Sequence, residues 1–349
     1  MREIKYTFKK IPFSELDRKE FYGFPNKSLL TTCEWIEFVM DQSGATPCIL
    51  KIFKGKEFIG YFTSLQFTKL GIPIIASPFP GWSTTFMGFD LFDSSLKSDV
   101  IPDLVDYIYK NEKCLFFQLT DRDISFGEAE QLKKEYGYII ESADTLELRV
   151  DADDKQLYKN MKTDCRNFIN QFERRGASIE VAEPNDEFAE EYYEQVLDVF
   201  AKQGLVPTHG VDIVKKMLRH LAPTGKVLCL RVRDPEGKSI ATSIYPGYNK
   251  KFFFMMGASL RPYQHYRPNE YMIYTAMKYW RDKGCTDFDM VGIRPYKKKL
   301  GSWEVHYPVI IVPKYKVLYY LKNMASALYY KMGSLKWKFG HIFKKENNV

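Results

Sequence analysis

Few side chains in this sequence are suited to moving a proton near neutral pH. Of five histidines in 349 residues, His209 stands in the loop GLVPTHGVD, flanked by glycine and proline. An imidazole there is placed either to take a proton from an attacking group or simply to pair with Asp212 at the next helix start. His265, in RPYQHYRPNE, suits a phosphate or surface contact better than a base. Asp289 lies between Phe288 and Met290 in a strand-like run, where an unpaired carboxylate is costly, so it needs a partner or a task. Lys297 opens the run Lys297-Lys298-Lys299, which composition alone assigns to a solvated face. Tyr248, Tyr263 and Tyr266 are able to protonate a leaving group, and Trp82 in FPGWSTTFMGF either stacks on a sugar ring or plugs the interior. No GxxxxGK[ST], GxSxG, HExxH or EF-hand pattern occurs, which removes P-loop hydrolysis, α/β-hydrolase chemistry and zinc proteolysis. The six cysteines show no CxxC or Cys/His spacing, so no metal site or disulfide framework is expected, and a reducing cytoplasm fits best. No serine or cysteine has an activating base nearby in sequence, so any group transfer is expected to run by direct attack.

The elements that must position these residues come in a repeated order. The first half reads as a strand (4–11), helices (13–21 and 31–42), and strands (47–53 and 57–67) forming a hairpin about Gly55. A helix (94–110), a strand (114–119), a helix (128–136) and a strand (145–150) follow. A long polar helix over 155–175, ended by Gly176, connects to the second half. There a strand (178–181), helices (187–202 and 211–221), strands (227–233, 239–245 and 251–258), a helix (269–283), a strand (286–291), a short helix (295–300) and a strand (305–312) repeat the pattern. Expected units are therefore 1–154, the connecting helix 155–176, 177–313, and a tail 314–349. The charge-free stretch 70–89 is broken by Pro73, Pro78 and Pro80, and reads as a buried strand and a loop rather than a membrane span.

All of the formal net charge of +7 resides in the tail. Residues 314–349 hold eight lysines, one glutamate and no arginine, while residues 1–313 carry equal numbers of basic and acidic side chains. Leu318, Leu321, Ala325, Leu328, Met332, Leu335, Phe339 and Ile342 are spaced to make one stripe on an amphipathic helix. That helix can lie on its own body, on a second copy or on an anionic membrane surface, and its lack of arginine argues against nucleic acid.

The stretch MMGASLRPYQHYRPNEYMIYTAMKYWRDKGCTDFDMVGIRPYKKKLGSWE resembles the GNAT superfamily branch of CelD-like polysaccharide-biosynthesis acetyltransferases and FemAB peptidoglycan-bridge enzymes. The resemblance rests on Lys283-Gly284, Phe288-Asp289-Met290, and Tyr296-Lys297 through Leu300-Gly301, with TTCEWIEFV around Trp35 and CRNFINQFERRGASIEV in support. It implies an α/β (α+β) fold of two tandem GNAT-like domains, each with a mixed, largely antiparallel sheet flanked by helices, plus the C-terminal helix. It also implies an acyltransferase moving an acetyl or short acyl group from acyl-CoA to an amino sugar or other cell-envelope precursor, without metal. The resemblance equally allows transfer from aminoacyl-tRNA to a lipid-linked peptidoglycan precursor, and a non-catalytic scaffold on the inner membrane face is the alternative from another class. On the implied roles Lys297 neutralises the acyl oxygen, His209 is the base and Asp289 is a further catalytic candidate unless a structural pairing claims it. Trp82, Tyr248 and Tyr296 face the acceptor, held in a cleft between the domains. A GNAT domain usually grips the coenzyme A pyrophosphate with a glycine-rich turn at a helix start. RPYQHYRPNE has no glycine, so the donor would rely on Arg261, Tyr266, Arg267 and Asn269.

Overall fold

The computed structural model describes residues 4–202, 204–207 and 209–325. Its strands are β1 (Tyr6–Ile11), β2 (Thr46–Lys54), β3 (Glu57–Lys69), β4 (Ile72–Ser77), β5 (Gly88–Leu91), β6 (Phe116–Thr120), β7 (Ile139–Arg149), β8 (Ser178–Ala182), β9 (Val227–Arg233), β10 (Ser239–Tyr248), β11 (Lys251–Phe253), β12 (Met256–Ser259), β13 (Asp287–Asp289) and β14 (Trp303–Pro313). The helices are α1 (Arg18–Tyr22), α2 (Cys33–Ser43), α3 (Lys97–Asn111), α4 (Phe126–Tyr136), α5 (Asp154–Asn160), α6 (Thr163–Arg174), α7 (Asp186–Ala201), α8 (Val211–Leu221) and α9 (Pro268–Asp282).

Each half builds the same unit from its sequence. Gly55, at φ +62°, turns the hairpin of β2 and β3, and β4 then pairs in parallel with β6 across α3. In the second half β9 and β10 form the antiparallel pair, and β11 pairs in parallel with β13 across α9. Local signals set the helix limits: Ser125 and Glu128 form a reciprocal capping box on α4, and Gly137 closes it in the left-handed region. The two units do not keep separate sheets. β7, from the first half, pairs with β13, while β14, from the second, pairs with β6, and β7 and β14 pair with each other. This exchange covers the edges of two short strands and joins everything into one 14-stranded mixed sheet, largely antiparallel and flanked by helices.

Three expectations are corrected. The helix expected over 155–175 is two helices, interrupted at Met161 and Lys162, where the Lys162 N–H donates to the Lys299 carbonyl at 2.9 Å. The turn that docks there has Gly301 at φ +90°, and a Cβ on it would lie 2.7 Å from the Asn160 carbonyl oxygen, so the break and the glycine fit one another. The helix expected over 13–21 is a 3-10 turn at Phe13–Glu15 and then α1 from Arg18, where the Asp17 carboxylate accepts from the Lys19 and Glu20 N–H groups and starts a new helix. Within residues 316–325, which are helical, the single stripe is not kept: Leu318 packs on the core but Leu321 is exposed. The rest of that stripe, from Leu328 to Ile342, lies outside the described residues.

Candidate active site

β11 and β13 pair only from Lys251–Asp287 to Phe253–Asp289. Beyond that point β12 stays with β10, and the chain after Asp289 turns away through Val291 at φ +50° and Gly292 at φ +82°, so the sheet opens. The turn Lys297–Leu300 sets the Lys297 side chain against this opening. Its ammonium donates to the Met290 carbonyl and, at 3.1 Å, to the Val291 carbonyl, and lies 4.9 Å from the centre of the Phe254 ring. Lys297 is 6 % exposed, and burial pushes its pKa down to about 8 against the opposing pull of Asp289. Two of three ammonium protons are thus held by carbonyls, leaving one for an oxygen in the opening.

Asp289 is fully buried and fully partnered. One carboxylate oxygen accepts from Thr145 Oγ1 at 2.6 Å and from the Val291 N–H at 2.8 Å, and the other is paired with Arg122. Arg122 also pairs with Glu147, which accepts from Lys251 Nζ at 2.7 Å. The guanidinium is flanked by Phe86 and Tyr307, with its carbon 4.4 and 4.9 Å from the two ring centres. Arg122, Thr145 and Glu147 come from the first half and Lys251 and Asp289 from the second, so the network crosses the exchanged strands. Beside it a cleft of about 290 Å³ between the halves is lined by Lys27, Phe86, Asp90, Arg122, Lys251 and Asp287, among others.

The remaining sequence candidates are dispersed. His209 lies in the α7–α8 loop, in the helical layer on the face of the sheet that carries Phe253 and Asp289. Its Nε2 is buried without a hydrogen-bond partner among the described residues, and burial lowers its pKa. Trp82 is buried against Phe67 and Phe79, ring centres 5.1 and 6.0 Å away, so it is an interior plug and offers no face to a sugar. Tyr248 is half-buried beside Tyr22 and Lys226, at the Lys226–Glu34 ion pair between the halves rather than at Lys297. Tyr296, 39 % exposed, stands next to Lys297, and burial of its hydroxyl end raises its pKa to about 12.

At the proposed donor loop, residues 261–266 form a tight turn of 3-10 helix that leads into α9. Arg261 is exposed, and the Tyr266 ring lies 4.1 Å from that of His265. Arg267 adopts φ +60° with its guanidinium over Phe168 at 4.1 Å, and Asn269 donates to Ser259 Oγ at 3.1 Å. Glu270 occupies the first turn of α9, its carboxyl raised by burial and opposed by a hydrogen bond from its own N–H. A carboxylate therefore takes the place where a helix start would attract a pyrophosphate. These residues do not fit the grip that a GNAT domain uses on coenzyme A.

Residues 159–298 match the family model described as an acetyltransferase (GNAT) domain. That match takes in most of the second half. The matched span runs from the end of α5 to the turn bearing Lys297, so the opening of the sheet, the α9 start and Lys297 all belong to it. No curated protein matches the chain. Among solved structures, FemX superposes with a TM-score of 0.74 at 16% identity, covering 90% of this chain and 99% of that one. A tandem GNAT protein from the clavulanic acid biosynthesis pathway gives 0.51 at 9% identity, covering 89% and 99%. L-PGS from Bacillus licheniformis gives 0.50 at 12%, covering 85% and 96%. At these identities the likeness is one of fold, and it extends over both halves of the chain.

Arg122, Thr145, Glu147, Lys251 and Glu270 were not legible as site residues in the sequence. Arg122 and Asp289 are 167 residues apart, and no spacing rule connects them. The one local signal is Glu270 itself, an acidic residue two places after a proline at a GNAT-type helix start.

The pH dependence follows from Lys297. If its ammonium stabilises the oxyanion, kcat/KM falls as pH rises through about 8 and the charge is lost. In Lys297→Arg that limb disappears, because guanidinium does not deprotonate; a pH–rate profile whose limb survives assigns it to another group. Stability runs oppositely: the folded pKa lies below the free value of 10.5, so the unfolded chain binds the extra proton. The penalty for the buried ammonium is therefore full below about 8 and is relieved toward 10.5.

Proposed function

We propose that this protein is an N-acyltransferase of the cell envelope, transferring an acyl group directly from donor to amine. The donor's carbonyl lies in the opening of the GNAT sheet at Lys297, and the acceptor lies in the charged cleft between the halves. The attacking nitrogen forms a bond to the carbonyl carbon, and the tetrahedral oxyanion takes the third proton direction of Lys297. The intermediate collapses by expelling the donor oxygen or sulfur, which leaves with the proton given up by the amine. Asp289, Arg122 and Thr145 act as positioning residues that hold the end of β13, and with it the carbonyl at Met290.

Of the two donors the sequence suggests, an aminoacyl ester of tRNA is the better supported. Glu270 carries this choice: its acidic side chain occupies the first turn of α9, where a pyrophosphate would be drawn, whereas Arg261 is exposed and suits a phosphodiester. The match of residues 159–298 to an acetyltransferase model favours the second reading, an acetyl-CoA donor with an amino-sugar acceptor.

Thermal unfolding at fixed salt with acetyl-CoA, free coenzyme A and charged and uncharged tRNA separates them. A donor at 100 times its Kd stabilises by about 2.7 kcal/mol, several degrees for a domain-sized unit. A larger shift with charged than with uncharged tRNA, and none with acetyl-CoA, is the expected result. A shift with acetyl-CoA alone establishes the second reading. Silence from every donor overturns both and leaves the scaffold.

A further inference from the structure

The helical residues 316–325, which follow β14, have two different faces. Leu318 and Tyr319 pack on the body, where Tyr319 donates to Glu141 Oε1 at 2.8 Å. Lys322 is turned the same way, its Nζ 4.0 Å from Glu141 and 5.6 Å from the Phe116 ring centre. On the outer face Val317, Tyr320, Leu321 and Met324 recur at i, i+3, i+4 and i+7 and are 48–68 % exposed. An amphipathic helix ordinarily hides such a stripe; this one has its inner face seated and its apolar outer face open among the described residues.

What covers it is indicated by charge. Lys314 and Lys316 flank the stripe and are exposed, and residues 326–349 add five lysines against one glutamate. Two copies meeting face to face would bring together two segments of net +7, whereas an anionic lipid surface attracts each lysine by about 1 kcal/mol. The body supplies no competing charge, since residues 1–313 are balanced. Among the described residues no helix is long and apolar enough to cross a membrane, so the contact would be interfacial. We propose that this helix docks on an anionic lipid bilayer, with Val317, Tyr320, Leu321 and Met324 at the acyl boundary and Lys314 and Lys316 at the headgroups. The helix leaves β14 at the end opposite Trp303 and the Lys297 turn, so docking concentrates the protein at the membrane without covering the site.

The test is flotation of the full chain with vesicles of phosphatidylglycerol and phosphatidylethanolamine, and with phosphatidylcholine alone. Expected are capture by the anionic vesicles only, release at high salt, and at least a tenfold loss of binding in Val317→Glu/Leu321→Glu with an unchanged melting temperature. Absence of capture by anionic vesicles overturns the proposal, as does capture that the double variant retains. So does a dimer that the same variant converts to monomer without any vesicle binding, which assigns the face to a second copy. None of these readouts depends on the proposed acyl transfer, so each reading stands or fails separately.

Discussion

Replacing Lys297 by alanine lowers kcat for acyl transfer by about 10²-fold or more, the magnitude associated with loss of one oxyanion donor. The expectation rests on where the ammonium is held. Carbonyls at Met290 and Val291 fix two of its protons, the Phe254 ring lies beneath it, and little water reaches it, so the remaining charge acts in a medium that screens it weakly. An interaction made in the transition state alone lowers kcat and kcat/KM together and leaves KM nearly unchanged. Lys297→Arg keeps the charge and distinguishes an electrostatic role from packing: partial activity without the limb at about 8 is expected there. Full activity in a folded Lys297→Ala variant would remove the residue from the chemistry.

Arg122→Ala destabilises the protein by about 3–5 kcal/mol, the range for breaking a buried ion pair on one side. Its guanidinium is the counter-charge for Asp289, which has no solvent exposure and would otherwise keep only Thr145 and one backbone N–H. Glu147 would retain Lys251, so the penalty concentrates on Asp289. Adding Asp289→Asn to Arg122→Ala should therefore recover part of the loss, and urea unfolding of the four proteins in this cycle measures the coupling directly. A loss below about 1 kcal/mol for the single variant would show that the carboxylate finds another partner or a proton. Because Arg122 joins strands of both halves, the same variant should lower activity even where it remains folded.

Much of the architecture was readable because its causes are local. Alternation and turn residues placed the hairpin about Gly55, the periodicity of α9 placed the helix between the parallel strands, and the repeated order revealed the duplication. Expectations failed where a distant segment overrode a local pattern. The 155–175 periodicity continues through Met161, but the turn at Lys299 and Gly301 docks there and takes the Lys162 N–H. For Trp82 the sequence left two readings, and contact with Phe67 and Phe79 selects the interior plug over stacking on a sugar.

By itself the sequence determined most of the elements, the two-fold repetition and the confinement of charge to residues 314–349, and through the GNAT resemblance it singled out Lys297 as a candidate. The tertiary structure alone decided that β7 and β14 exchange between the halves, that Arg122 answers Asp289, and that Lys297 is buried against backbone carbonyls with a lowered pKa. The division has a physical origin. Helix and turn propensities act over a few residues and are written in consecutive side chains. Strand pairing and the desolvation of a charge depend on which remote atoms arrive beside it, and that is settled only when the whole sheet closes.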